Sequence, residues 1–568
     1  LDSINKTGLT STRGAFGLPH VGFSPLTLSV VVITLGVLTP LLFLLGLAAS
    51  SGFSHWEHLM RYVLPDATLN TLILLLGVGA MVMTIGAGCA WLVTAFDFPG
   101  RKLFSWALLL PLAMPTYIVA FAWLDLLHPI GPIQEFIRSV LGYDSPRQFR
   151  LPDLRSMTGA ILLLGLVLYP YVYLTMRAMF MSQPAHLLEA ARTLGLSSTG
   201  TFFRVALPMA RPALVVGTSL ALLETLNDIG ASEFLGVNTL TVTVYTTWVT
   251  RSDLPAAAQI ACSMLTVIIL LLALEYYGRK NQRYSTGRQM RGILPSRLTG
   301  WRAILATCVT ALPVVLGFLA PALFLGWESL KRISDSMTIS SSLLQSLQNS
   351  LLLAAGVTVV VTLVSIVVAW YARASAISGS SQEWRRALMK IASLGYAVPG
   401  TVLAIGLLTP GMALDNFLAE LLDFRGLPLL STGILLVICC SIRFMAISIG
   451  AIDAGLTRIP PSMEQASRLL GESELRTFFR VHLPLLRPAL VTSALLVFAD
   501  AMKELPTTLL LRPVNFETLA TSLYAEAARG TYEEGAIAAL LIVLAGTLPV
   551  ILLARSQLTS SQSKRSSQ

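Results

Sequence analysis

The chain has 568 residues, of which 54% are hydrophobic and 12% charged, against about 25% charged in an average soluble domain. That composition excludes an ordinary soluble protein and points to an integral membrane protein. The formal net charge of +10 is read as a topology signal and not as a footprint for nucleic acid, because the positive residues gather in loops between apolar spans.

Residues 1–25 form an N-terminal segment expected in the cytoplasm; the sequence starts at Leu1, so the true start is open. The stretch 26–49 is the first that is long enough to cross a hydrocarbon core, which takes roughly 20 helical residues. No convincing small-residue cleavage site follows it, so a retained helix is expected here and not a signal peptide. Further charge-free stretches lie at 69–96, 103–124, 157–176 and 254–274, and a span carrying ionisable residues begins near Pro212. These complete a first half, 26–277. Residues 278–302 carry seven Arg/Lys and no acid, which suits a basic cytoplasmic linker. The second half, 303–554, repeats the pattern at 303–327, 351–371, 391–414 and 535–553, with charged spans beginning near Leu427 and Pro488. A tail, 555–568, follows. The expected fold is an all-α polytopic membrane protein of about twelve helices in two six-helix repeats.

Helix parity then assigns each loop to a side. With the N-terminus inside, the internal loops and tail hold 24 Lys/Arg against 6 Asp/Glu, and the external loops 11 against 16. The positive-inside rule supports that orientation. An even number of helices per half gives both halves the same orientation, related by an axis along the membrane normal. The five cysteines, Cys89, Cys262, Cys308, Cys439 and Cys440, all fall in apolar spans and suggest neither disulfides nor metal spacing. His55 and His58 are three apart in an external loop, weak evidence for a metal site.

One 25-residue segment occurs twice, 276 positions apart, with sixteen identities. The first copy contains Ala190-Ala-Arg192-Thr-Leu-Gly195, Thr201-Phe202-Phe203-Arg204 and Leu207-Pro208. The second contains Ala466-Ser-Arg468-Leu-Leu-Gly471, Thr477-Phe478-Phe479-Arg480 and Leu483-Pro484. Each reads as a helix ended by a glycine and resumed before Leu-Pro, a short helix-turn-helix on the inner face. A single copy could be a mere elbow between spans. Two copies at equal places in both halves favour a recognition surface.

The spacing Glu189-Ala190-Ala191, three residues, Gly195, eleven residues, Leu207-Pro208 resembles the EAA loop of bacterial ABC-importer permeases. The second copy departs from it, with Gln465-Ala466-Ser467 in place of Glu-Ala-Ala and Glu464 one position earlier. The resemblance implies a type I importer permease fold in which loops 182–211 and 458–487 are coupling helices seated on an ATPase subunit. The residues it assigns to that contact are Glu189, Ala190, Arg192, Gly195, Phe202 and Arg204, and in the second loop Glu464, Gln465, Arg468, Gly471, Phe478 and Arg480. The fused layout is similar to that of the ferric-iron permeases, on Asp97-Phe-Pro-Gly-Arg101, Ser105 to Pro115, Glu224-Thr-Leu-Asn-Asp228 and Met502-Lys-Glu-Leu-Pro506 with Leu511-Arg-Pro513. It implies a bacterial inner-membrane protein with both termini cytoplasmic, a periplasmic or lipid-anchored iron-binding protein, and two copies of the ATPase. No Gly-Lys dipeptide occurs in the sequence, so no phosphate loop does either. No cofactor is expected on this chain, with ATP and magnesium used by the partner ATPase.

Ionisable residues inside apolar helices mark the expected path, since charge there is costly. Glu224 and Asp228 are four apart, as are Asp500 and Glu504, and the 276-residue offset superposes the pairs. They are expected to face each other across a central cavity, where carboxylate oxygens suit a hard trivalent cation better than an anion. A second reading has these acids locking helices by pairing with Lys503 or Arg443. Arg443 itself is either a counter-ion or a side chain snorkelling inward. Pro111 and Pro115, with Tyr169-Pro170-Tyr171, are expected to kink their helices, lining a gate or shaping packing. The rival cargoes are thiamine, a phosphonate, a polyamine or an oxyanion. An ion-coupled secondary transporter or channel would not need twin docking loops, and no cluster suggests a membrane enzyme.

Overall fold

The structure, a computed structural model, describes residues 25–50, 52–279, 295–336, 340–374, 382–421, 423, 426 and 428–566. The expected N-terminal segment and most of the basic linker lie outside these residues. Ten described helices are long and apolar enough to cross a membrane, and two bent pairs raise the number to twelve. They fall where the apolar stretches placed them, in two series of six: Pro25–Ser50, Leu64–Ala95, the bent pair Arg101–Ala113 and Thr116–Leu126, Met157–Ser182, the bent pair Ser198–Met209 and Arg211–Asn227, and Leu254–Gly278; then Trp301–Ser334, Ser341–Arg373, Gly400–Leu421, Ile434–Thr457, Glu474–Met502 and Glu534–Ile551.

The third span bends by 92° between Ala113 and Thr116. A proline pushes the residue before it out of the helical region, and Met114 before Pro115 is extended at φ −108°, ψ 117°. The second half repeats the device where the sequence was expected to give one span over 391–414. An amphipathic helix, Gln382–Ala392, leads into a 3-10 turn, Leu394–Ala397; Val398 before Pro399 is extended at φ −97°, ψ 126°, and the span proper starts at Gly400. Pro170 does not end its helix, which runs unbroken over Met157–Ser182.

The first helix of each half packs on the other half. Pro25–Ser50 crosses Gly400–Leu421 so closely that a Cβ on Gly406 would lie 2.1 Å from the Pro40 carbonyl oxygen. The first helix of the second half lies against the fourth span of the first, where a Cβ on Gly317 would be 2.5 Å from the Leu166 carbonyl oxygen. That carbonyl is the one Pro170 leaves without its helical donor. Nearby, Trp123 Nε1 donates to the Leu316 carbonyl at 3.0 Å. Leu316 belongs to a π turn, Val315–Leu319, whose continuation would need the N–H that Pro321 lacks. Small residues and borrowed donors are how bare backbone is tolerated in a helix crossing within a membrane.

Segments 231–256 and 506–533, read from the sequence as external loops, are largely buried short helices. Gly230–Phe234 and Leu240–Val249 correspond to Pro506–Leu511 and Leu519–Arg529. Each second member is pinned to its own half: Leu240 N donates to Thr71 Oγ1 at 2.9 Å, and Leu519 N to Ser350 Oγ at 2.7 Å. A two-residue parallel pairing joins Phe96–Asp97 to Ser296–Arg297.

Candidate functional site

The repeated loops form the same motif twice. Ala185–Thr193 and Pro461–Leu469 are the leading helices. Gly195 at φ +87° and Gly471 at φ +80° end them in the left-handed region. Leu196 N then reaches Ala191 O at 3.1 Å and Glu472 N reaches Ser467 O at 3.1 Å, which closes off carbonyls the helix would leave bare. Ser197 and Ser473 accept from the amides of Gly200 and Arg476, starting the next turn. A π turn carries each Phe-Phe-Arg, over Phe202–Ala206 and Phe478–His482. The copies then differ. The first breaks by 74° between Met209 and Arg211, whereas the second runs on as Leu483–Met502.

Within each Phe-Phe pair the first ring is the anchor. Phe202 packs 5.4 Å from Trp91, and Phe478 packs 4.9 Å from Trp370, between ring centroids. The second rings face out: Phe203 is 61% exposed and Phe479 60%. The sequence had placed Phe202 and Phe478 on the contact surface; the residues left bare for a partner are Phe203 and Phe479, with Leu194 and Leu470 at the tips. Glu189, Ala190, Arg192 and Arg204 are exposed in the first loop, and Gln465, Arg468 and Arg480 in the second. Arg468 pairs with Glu474 at 3.1 Å and Arg480 with Glu472.

Glu464 corrects the sequence reading. It is 4% exposed and its Oε1 lies 2.9 Å from Arg373 Nε and 3.0 Å from His482 Nε2. The 276-residue offset aligns it with Leu188, also 4% exposed, so it occupies an inward position of the helix. Gln465 stands where the first loop has Glu189, and both are exposed. The inward acid is matched by partners the first half lacks: His482 aligns with Ala206 by the same offset, and, counted from the equivalent Trp91 and Trp370, Arg373 stands in the place of Thr94.

The two acidic pairs line one cavity of about 110 Å³ between the halves. Glu224 comes from the end of Arg211–Asn227 and Asp500 from the end of Leu483–Met502; Asp228 and Glu504 sit just past those ends. Pro115 and Tyr117 reach the cavity from the break in the third span, and Tyr396 from the matching turn of the second half. Asp228 Oδ1 accepts from Ala231 N at 2.8 Å. Glu504 Oε1 accepts from Thr507 N at 3.0 Å and from Thr507 Oγ1 at 2.7 Å, while Arg443 Nη1 lies 2.6 and 2.8 Å from its two carboxylate oxygens. Lys503 Nζ pairs with Asp500 Oδ1 at 2.7 Å. Glu224 accepts from the Tyr396 hydroxyl at 2.9 Å.

Arg443 is therefore a buried counter-ion, 7% exposed, and does not snorkel. Four carboxylates and two cations leave the lining with a formal excess of two negative charges. Among the described residues no three of His, Cys, Asp and Glu converge as a metal site. Sequence reasoning passed over Tyr396 and Asn227, whose side chain accepts from Gly400 N at 3.0 Å and so bridges the halves. Tyr396 had no flag, being uncharged in an apolar stretch. Asn227 had one, lying between two acids of a span that had already been singled out.

The model of the family described as the binding-protein-dependent transport system inner membrane component matches residues 83–283 and again 372–557, once in each half. The Fe(3+)-transport system permease protein FbpB 2 of Haemophilus influenzae is 24% identical over 536 residues, covering 93% of this chain and 97% of that protein. Two relatives match shorter portions. A protein of Salmonella choleraesuis named as a 2-aminoethylphosphonate transport system permease, PhnU, is 31% identical over 225 residues, 39% of this chain and 76% of its own. The sulfate transport system permease protein CysT of Escherichia coli is 28% identical over 250 residues, 43% of this chain and 87% of its own. With the family's domain present twice and a fold of twelve apolar spans in two repeats, this multi-pass chain belongs to the inner-membrane components of binding-protein-dependent transport systems, as an ABC-importer permease with both halves fused.

Proposed function

We propose that this permease carries ferric iron into the cytoplasm, receiving it from an extracytoplasmic iron-binding protein and drawing on ATP hydrolysed, with magnesium, by a separate ATPase present in two copies. The observation that carries the reading is the cavity between the halves, lined by Glu224, Asp228, Asp500 and Glu504 with a net negative balance. A hard trivalent cation is attracted by oxygen donors and an acidic field. The relative that matches almost the whole fused chain is named for Fe(3+) transport, and that supports the same cargo. Arg443 and Lys503 also line the cavity, but an anionic cargo would have to draw them away from Glu504 and Asp500.

In this reading both termini are cytoplasmic and each coupling loop seats on one ATPase copy, offering Phe203 or Phe479 and the exposed basic residues around it. Closure of the ATPase dimer moves the two loops together. Because the first helix of each half is packed on the other, the halves rock about a shared interface and expose the cavity to one side at a time. The rigid Gly195 and Gly471 turns transmit the displacement to the spans carrying Glu224 and Asp500.

The test is uptake of radioactive ferric iron into proteoliposomes holding the permease, its ATPase and its binding protein. ATP-dependent iron uptake that Gly195→Asp abolishes supports both cargo and coupling. ATP hydrolysis stimulated by the binding protein without iron uptake would remove iron as the cargo and leave the permease assignment in place.

A further inference from the structure

The two walls of the central cavity are unlike. Where the second half has Arg443 and Lys503, the first half has Val167 and Asn227 at the positions 276 residues earlier. Asp500 and Glu504 thus bring their own counter-ions, at 2.7 and 2.6 Å. Glu224 makes no ion pair among the described residues. Its Oε1 accepts from the Tyr396 hydroxyl at 2.9 Å, and the Tyr171 side chain stands beside Tyr396. All three side chains line the cavity.

Phenol and carboxylate oxygens are both hard donors, and tyrosine oxygen is an established protein ligand of ferric iron. The first half cannot supply a second such wall: counted from the matching breaks at Pro115 and Pro399, the residue in the place of Tyr396 is Leu112. The turn that holds Tyr396 is closely packed: a Cβ on Gly395 would meet the Ile442 carbonyl oxygen at 2.1 Å. A Cβ on the nearby Gly400 would meet Thr507 Oγ1 at 2.3 Å and Arg443 Nη1 at 2.7 Å, so the turn is packed against the neutralised wall.

We propose that Glu224, Tyr396 and Tyr171 are the ligands through which ferric iron crosses the cavity, a one-carboxylate, two-phenol wall facing a wall of carboxylates already neutralised. The inference rests on iron being the cargo. Each phenol that binds the metal releases its proton to water, and Glu224, which accepts the Tyr396 hydrogen bond, stays a carboxylate and exchanges that bond for the metal. Three ligands from two halves also give a reason for release. When the halves rock, Tyr396 moves with the second half while Glu224 and Tyr171 stay with the first, and the ligand set is divided.

The test compares wild type with the Tyr171→Phe/Tyr396→Phe double variant in the complete transporter with its ATPase and binding protein. Each substitution removes one oxygen and keeps the ring, and ATP hydrolysis stimulated by the iron-loaded binding protein reports whether the variant is folded and coupled. The expected result is a loss of about tenfold or more in iron uptake, the scale on which ligand-shell changes act, with stimulated ATP hydrolysis retained. A visible phenolate-to-iron charge-transfer band on loading the solubilised wild-type complex with ferric iron should be missing from the variant. Wild-type iron uptake in the double variant, or no such band in the wild type, overturns the ligand assignment and leaves iron as the cargo. A variant that loses stimulated hydrolysis is replaced by Glu224→Gln, read by the same band and the same uptake, where unchanged uptake again overturns the assignment. Absence of iron uptake by the wild type itself overturns the cargo and this inference with it.

Discussion

Asp228 and Glu504, 276 positions apart, do the same backbone work: each accepts the amide hydrogen three residues on, from Ala231 at 2.8 Å and from Thr507 at 3.0 Å. Each thereby starts the short buried helix that follows its span. Only Glu504 also carries a buried guanidinium, that of Arg443. The two equivalent acids should differ sharply when neutralised. Glu504→Gln leaves Arg443 buried without its partner and is expected to cost about 3–5 kcal/mol, whereas Asp228→Asn keeps an oxygen for the cap and should cost about 1 kcal/mol. Combining Glu504→Gln with Arg443→Met should recover most of the loss. Thermal unfolding of the purified protein in detergent decides it, and equal destabilisation by the two single changes would contradict the assignment.

Gly195→Ala and Gly471→Ala place a Cβ where nothing lies within 4 Å, so the only penalty is the positive φ, about 1–2 kcal/mol at each turn. The melting temperature should hardly move, because an exposed turn relieves the strain by opening locally while the spans stay packed. Affinity for the ATPase should fall, by about tenfold for a penalty of that size, since the leading helix is no longer held at its angle. Titration of the solubilised permease with the purified ATPase measures this directly.

The two phenylalanines of each loop should separate by assay. Phe478→Ala empties an anchor that is 6% exposed and is expected to destabilise the protein by about 3 kcal/mol or more. Phe479→Ala and Phe203→Ala should leave the melting temperature unchanged and weaken ATPase binding. A Phe203→Ala variant that binds the ATPase as wild type does would place the contact elsewhere on the loop.

Under the second loop, Glu464 is held by Arg373 and His482. Glu464→Leu alone should destabilise that loop by about 1–3 kcal/mol, by leaving Arg373 and His482 without their acceptor. The triple change Arg373→Thr/Glu464→Leu/His482→Ala reproduces the first half's residues and should restore it. Limited proteolysis of the loop, read against the untouched first loop, provides the comparison within one molecule.

Much of this was legible in the sequence, and the misses have physical reasons. Apolar runs located the twelve spans because a membrane demands them, and the 276-residue offset brought Glu224 and Asp228 into register with Asp500 and Glu504. The same offset aligns Glu464 with Leu188; that alignment already placed the acid on an inward face, but the eye follows charge before register. The break at Pro399 was signalled by the Pro399-Gly400 pair but passed over, because no charged residue interrupts 391–414. Nothing in a Phe-Phe pair says which ring turns inward, since that is decided by Trp91 and Trp370 on another helix. Tyr396 becomes notable only once a turn from the second half is folded against a helix of the first.

The exchange of first helices has a consequence for how the molecule is made. Pro40 touches the helix of Gly406, which leaves the ribosome 366 residues later; at a synthesis rate of about 5–20 residues per second that is a delay of roughly 20–70 seconds. Pro25–Ser50 therefore has only its neighbour in the first half, Leu254–Arg279, until its partner helix in the second half is made. A translation pause placed between the halves should lengthen that interval and make the nascent chain a better substrate for membrane quality-control proteases, whereas one placed after residue 421 should not.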